Sequence, residues 1–258
     1  MEHSLRQLSI NTLCYKDDLK YLQGYMACLP ANCEVNLMFT EGADVANATV
    51  EPLTDLIVDG KKILSRQTDT GGGVLNLYKY TYPKIAKEGG IAVDKFSFGH
   101  AKNELIKLAK RDWILNLDLD ERIIIEPDEF DMIFNLKSEV GGLFVTLVSY
   151  VFPTKHDVED ANAKRMVRIF RNKANIKFSG TVHEQIADSI IYSGLLLVAT
   201  GILIKHRGYE GQNRQDLINK LARNNAYLFK DLAANPRNVY NLNKVLETLS
   251  LFKKNKII

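Results

Sequence analysis

Two aspartates one residue apart, Asp118 and Asp120, follow an apolar run, Trp113-Ile114-Leu115-Asn116-Leu117, and lead into Glu121. In an extended chain, residues i and i+2 point to the same side. Both carboxylates can therefore address one point while Leu119 turns to the core. Magnesium and manganese take one or two carboxylates and complete their octahedra with water and phosphate oxygens. A solvated acidic turn is the competing reading. The apolar strand ahead of the pair favours the cation, because open α/β sheets bind ligands at the carboxyl ends of their strands.

Three further clusters carry chemistry-bearing side chains. Arg165-Met166-Val167-Arg168-Ile169-Phe170-Arg171-Asn172 sets arginines along an alternating segment. They suit a bidentate clamp on phosphate or carboxylate, or equally an edge strand with solvated charges. Thr181-Val182-His183-Glu184-Gln185 offers an acid/base pair, although an isolated His-Glu dipeptide is more often structural. It is not the HExxH zinc helix, because Ala187 stands where the second histidine is required. Lys205-His206-Arg207-Gly208-Tyr209 is a cationic turn after an apolar run, fit to meet a diphosphate or a metal, or simply to end a strand in solvent.

The elements that must position these residues follow from periodicity and turn chemistry. Strands are expected at Leu8 to Tyr15, Val35 to Phe39, Ile91 to Val93, Trp113 to Leu117, Gly142 to Phe152 and Met166 to Phe170. The uncharged stretch Ile190 to Ile204 reads as two buried strands, Leu195 to Val198 and Ile202 to Ile204, joined by a turn, and falls short of the span of a bilayer. Asp17 and Asp18 open a helical run that Pro30 stops, and Phe98 to Ala109 is helical with Ala101, Leu105 and Leu108 on one face. Asp59-Gly60 predicts a type I′ hairpin, and Thr70-Gly71-Gly72-Gly73 a loop. Amphipathic helices follow at Arg214 to Phe229 and after Pro236. This alternation predicts an α/β fold with a mixed, mainly parallel sheet flanked by helices, a catalytic domain over 1–210 and a C-terminal helical extension over 211–258.

Composition bounds the class. Of 258 residues, 46% are apolar and 25% charged, the make-up of a globular protein with a core large enough to need no staple. The balance of 34 basic against 31 acidic residues gives +3, too weak to mark a nucleic-acid binder. Cys14, Cys28 and Cys33 have no CxxC spacing, so reduced thiols in a cytoplasmic protein are expected. The opening residues carry no apolar h-region, and no transmembrane segment is expected.

In chain order, F-x-x-A-[KR]-N (Phe98, Ala101, Lys102, Asn103), W-I-L-x-L-D-x-D-E (Trp113 to Glu121), R-x-F-R-N (Arg168, Phe170, Arg171, Asn172), H-E (His183, Glu184) and H-x-G-Y (His206, Gly208, Tyr209) form a pattern. Over roughly residues 8 to 230 it resembles the family 2 glycosyltransferases with the GT-A fold. The likeness is greatest to the subgroup that includes lipopolysaccharide-core and peptide-glycosylating enzymes. The resemblance implies a GT-A catalytic domain and transfer from a nucleotide-sugar donor, a UDP-sugar foremost. It makes Asp118 and Asp120 the DxD motif that holds Mn2+ or Mg2+ on the donor diphosphate, with His206 reaching the metal. It makes Glu184 the general base of an inverting reaction, with His183 as the fallback, and puts Lys102, Asn103, Arg168 and Arg171 beside the donor.

The chain departs from the pattern in two places. Where the family's second strand ends in an aspartate that reads the base, this chain has Phe39-Thr40-Glu41-Gly42-Ala43-Asp44, leaving Glu41 or Asp44 to take that part. Residues 56–87 look like an insertion. Two other functions compete: a nucleotidyltransferase, which would want a glycine- and base-rich loop after the first strand, and a non-catalytic nucleotide-sugar or glycan-binding module on the same fold. The acceptor is left open among glycan, protein and DNA; DNA would show steep salt dependence.

Overall fold

The computed structural model describes residues 7–43, 47–67, 73–83, 96–125, 127–150, 161–182, 184–207, 214–234 and 236–254. Eleven strands are seen among them: β1 (Leu8–Cys14), β2 (Glu34–Ala43), β3 (Thr49–Leu53), β4 (Asp55–Val58), β5 (Lys61–Ser65), β6 (Val74–Pro83), β7 (Trp113–Asn116), β8 (Glu121–Ile124), β9 (Val140–Tyr150), β10 (Ala161–Arg171) and β11 (Leu196–His206). A 3₁₀ turn over Lys16–Tyr21 runs into the short helix α1 (Leu22–Met26). Then come α2 (Phe98–Leu108), α3 (Pro127–Phe134), α4 (Ala187–Tyr192), α5 (Arg214–Ala234) and α6 (Val239–Lys254).

Nine strands form one sheet in the order β3-β6-β2-β1-β7-β10-β9-β11-β8, and β4 and β5 form a separate hairpin. β6, β2, β1 and β7 are mutually parallel, as are β9 and β11, while β3, β10 and β8 run against their neighbours. The expected mixed, mainly parallel sheet with flanking helices is thus what the chain forms. From β1 the chain winds outward through β2 to β6 and then returns to place β7 on β1's other side. The carboxyl ends of β1 and β7 therefore border the point where winding reverses, the usual crevice of such sheets.

Several elements differ from the sequence expectation. The helical run after Tyr15 divides into the 3₁₀ turn and α1. Leu195 to Ile204 is not two strands about a turn but one strand, β11, parallel to β9, with its register shifted between Ala199 and Leu203. Thr200 explains the shift: its hydroxyl donates to the Phe144 carbonyl at 2.9 Å, taking the place of a ladder bond. Residues 56–87 are only in part an insertion. The hairpin is there, with Asp59 (φ 50°) and Gly60 (φ 75°) both left-handed as a type I′ turn requires. β6, however, pairs with β2 over ten residues and belongs to the main sheet. The strand expected at Ile91 to Val93 and the loop at Thr70 to Gly72 lie outside the described residues. Among the described residues, no helix is long and apolar enough to cross a membrane.

The parallel half carries an unusual core. Asn116, Asn11, Asn36 and Asn76 fall in register on β7, β1, β2 and β6 and are all buried. Asn76 donates to Asn36 and Asn36 to Asn11, each at 3.0 Å, and Asn11 donates to the Leu105 carbonyl of α2 at 3.1 Å. Beneath this row the buried Glu34 accepts from Ser9 Oγ at 2.5 Å and from the Lys110 amide at 2.8 Å. Parallel strands covered on both faces can slip without exposing anything polar. A row of amides that pair only in one register removes that freedom.

Candidate active site

β7 delivers the acidic turn. The Leu117 amide still bonds to Asn11 of β1 at 3.1 Å, and the chain then reverses through Asp118–Asp120 into β8. Glu121, 1% exposed, closes the turn twice: its amide donates to the Asp118 carbonyl and its carboxylate accepts from the Asp118 amide, both at 2.9 Å. Arg122 ties the same turn to the 3₁₀ segment, donating to the carbonyls of Leu119 and Tyr21. Leu119 is buried, and Asp118 and Asp120 both line a cleft of about 1250 Å³ beside it.

Three elements bring the partners. Asp120 Oδ2 lies 3.1 Å from His206 Nε2 at the end of β11, and the other ring nitrogen meets Ser149 Oγ at 3.0 Å. Arg168 sits where β10 slips by one residue against β9, between Val167 and Ile169. Such a bulge re-aims a side chain, and here the guanidinium reaches Glu121 at 2.5 Å and Asp118 at 3.3 Å. Lys102 lies on the buried face of α2, 3% exposed, with its ammonium ion-paired to Glu184 and 3.4 Å from Asp118 Oδ1. With its amide oxygen turned to the cations, Asn116 accepts from Lys102 at 3.2 Å and Arg168 at 2.8 Å.

The charges tune one another. Burial opposes ionisation of Asp118, but Lys102, Arg168 and His206 outweigh it and hold the carboxyl well below the usual carboxylate range. Burial pushes Glu121 up to about 7, with Asp118 and Asp120 adding to the effect against the pull of Arg168. Burial would lower Lys102, yet Asp118 and Glu184 keep its ammonium above the ordinary lysine value. Lys102 thus stands as one buried cation serving two carboxylates.

Of the residues singled out from sequence, the structure brings Asp118, Asp120, Lys102, Arg168, Glu184 and His206 into this cleft. It does not bring in three others. Asn103 spends its amide on the Phe178 backbone, donating at 2.9 Å and accepting at 2.7 Å. Arg171 donates to the carbonyls of Val140 and Leu136 and stacks on Trp113 at 4.4 Å. Glu41 pairs with Lys79 at 2.6 Å beyond the cleft. His183 lies outside the described residues. Sequence reasoning missed Asn116 and gave Glu121 no task of its own. The signal was an asparagine set into each of four apolar strand sequences, Ile10-Asn11, Val35-Asn36, Leu75-Asn76 and Leu115-Asn116.

The donor set suits a hard divalent cation. Two aspartates are the ligand type such an ion uses, and the His206 imidazole, its far nitrogen oriented by a hydroxyl, adds a nitrogen donor beside them. Among the described residues, no three His, Cys, Asp or Glu side chains stand close enough to form a cluster by themselves.

No family model matches the chain. It is 32% identical over 115 residues to a TPR repeat-containing protein of Synechococcus elongatus; the match takes in 42% of this chain and 27% of that protein. Among solved structures, it is similar to Staphylococcus aureus TarS at 12% identity and TM-score 0.42, covering 95% of this chain and 43% of that one. TarS 1–349 in complex with UDP-GlcNAc gives 12% identity and TM-score 0.43, with 94% and 71% covered.

Proposed function

We propose that the protein is a divalent-metal-dependent, inverting glycosyltransferase of the GT-A kind, close to the lipopolysaccharide-core and peptide-glycosylating subgroup, using a nucleotide-sugar donor with UDP as its leading carrier. The observation that carries this reading is the meeting of Asp118, Asp120, His206, Lys102, Arg168 and Glu184 in one cleft at the reversal point of the sheet. The ordered motifs that resemble the family support the same reading.

Asp118, Asp120 and the Nε2 of His206 would hold Mn2+ or Mg2+. Bound there, the ion would supply Lewis-acid stabilisation of the leaving nucleoside diphosphate. Ser149 keeps the His206 ring turned toward Asp120. Arg168 and Lys102 place fixed positive charge at the cleft floor, where their burial strengthens the attraction to phosphate oxygens. Glu184 takes the proton of an acceptor hydroxyl as that oxygen attacks the anomeric carbon. Lys102 masks this carboxylate. Donor phosphate beside Lys102 competes for the ammonium and frees Glu184. The acceptor is a glycan or protein hydroxyl in preference to DNA, in keeping with the weak net charge.

A thermal-shift panel of nucleoside diphosphates and their sugars, with and without manganese, tests the reading. A ligand that binds only the folded state raises Tm according to its concentration over Kd. A manganese-dependent rise with UDP or a UDP-sugar, lost in Asp120→Asn, is expected; no rise with any nucleotide would overturn the proposal.

A further inference from the structure

The C-terminal helices do more than extend the sheet domain. Glu184 lies on a short loop between Phe178 and α4, closed on itself by paired backbone bonds between Ser179 and Gln185 at 2.8 and 2.9 Å. One side rests on α2: the Phe98 amide bonds to the Thr181 carbonyl at 2.9 Å, and a Cβ on Gly99 would fall 2.4 Å from the Gly180 oxygen. Gly180 itself is left-handed at φ 94°. The other side rests on the tail. Asp231 of α5 accepts from the Thr181 amide at 2.9 Å and from the Thr181 hydroxyl at 2.5 Å. Tyr240 of α6 accepts from the Gln185 side chain at 3.0 Å. Val182, buried within the loop, packs with Tyr227, Leu228 and Val245 of the two helices.

We infer that Asp231 is a positioning residue that, through Thr181, fixes the loop so that the Glu184 carboxylate stands at the reacting hydroxyl. The inference rests on the reading of Glu184 as general base. Two bonds accepted by one carboxylate from a single residue fix that residue's position and orientation. They grip the chain three residues before Glu184, while Tyr240 grips the residue after it. Released from Asp231, the loop keeps its backbone bridge and its contact with α2, so the protein stays folded while the carboxylate loses its fixed height over the cleft. Small misplacements of a catalytic group cost rate steeply.

Two measurements on the whole chain test this. The first reads UDP released from UDP-glucose, UDP-galactose and UDP-GlcNAc in manganese. Asp231→Ala is expected to lower kcat by roughly 10–100-fold with KM unchanged, and Thr181→Val, which keeps the amide bond, to lower it less. In a Glu184→Gln background Asp231→Ala should add nothing, because a residue acting through another shows full coupling in a double-mutant cycle. An equal fall in both backgrounds, or an unchanged kcat, overturns the inference. If Glu184→Gln alone leaves turnover intact, it is the base assignment that falls. The second is amide hydrogen exchange, which needs no turnover. Asp231→Ala should speed exchange at Thr181, whose amide Asp231 holds, by about tenfold or more while Val35 in β2 stays protected, as expected for local opening; unchanged exchange at Thr181 overturns the clasp whatever the kinetics.

Discussion

The two halves of the sheet bury polar groups to opposite ends. In the parallel half, from β6 to β7, the buried side chains of Ser9, Asn11, Glu34, Asn36 and Asn76 bond to one another or to nearby backbone. At the acidic turn, Lys102, Arg168 and Asp118 are charged groups held chiefly by one another and by Glu184 and Glu121, with contacts of 3.3 and 3.4 Å to Asp118, and they face the cleft. A closed network fixes register and has nothing left to offer a ligand. Charges balanced against one another but not saturated can be redistributed when a ligand arrives.

Substitutions can break this contrast. The largest effect is expected from Asp120→Asn: transfer and manganese-dependent nucleotide binding should fall by roughly a thousandfold or more with Tm kept. Unaltered manganese-dependent turnover would remove Asp120 from the metal site. Glu184→Gln comes next, with kcat down by roughly 10²–10⁴-fold and nucleotide affinity retained in a titration. Asn36→Ala tests the other half. It strands the oxygen of Asn11 and leaves the Asn76 amide only its 3.4 Å contact with Glu34, for a stability loss of about 1–3 kcal/mol in urea unfolding, while kcat per folded molecule is unchanged. Arg171→Ala should likewise lower stability and spare donor binding; the reverse result would move Arg171 into the site.

The smallest effect is chemical. Burial pushes the Cys33 thiol up to about 12 and Cys14 well up, whereas Cys28 is only half-buried. Because the thiolate is the reactive form, a maleimide at about pH 8 should label Cys28 first, and the other two only as the parallel half unfolds. Asp231→Ala should leave that slow labelling untouched.

The sequence made some of this legible, and the reasons are local. Trp113 to Glu121 announced a buried strand ending in acid because alternation, apolarity and the Asp spacing all lie within nine residues. Asp59-Gly60 was readable because left-handed backbone selects those residue types. What stayed hidden depends on distant neighbours. Asn103 and Arg171 resemble ligand-binding side chains, yet backbone carbonyls and amides far along the chain claim them. The slip that turns Arg168 into the cleft arises from its pairing with β9, and nothing in Val167-Arg168-Ile169 marks it. β6 falls in the stretch that looks like an insertion beside the family pattern, although it pairs with β2 and its Leu75, Leu77 and Tyr80 are core residues.

The tail's grip on the Glu184 loop also sets an order of assembly. A chain leaving the ribosome emerges N-terminus first, so the residues of β1 to β11, the acidic turn, Lys102 and Glu184 are all made before Asp231 and Tyr240. On the proposed function, a product of interrupted translation ending before α5 would hold the cation ligands and the donor-side cations but no outer brace for the base.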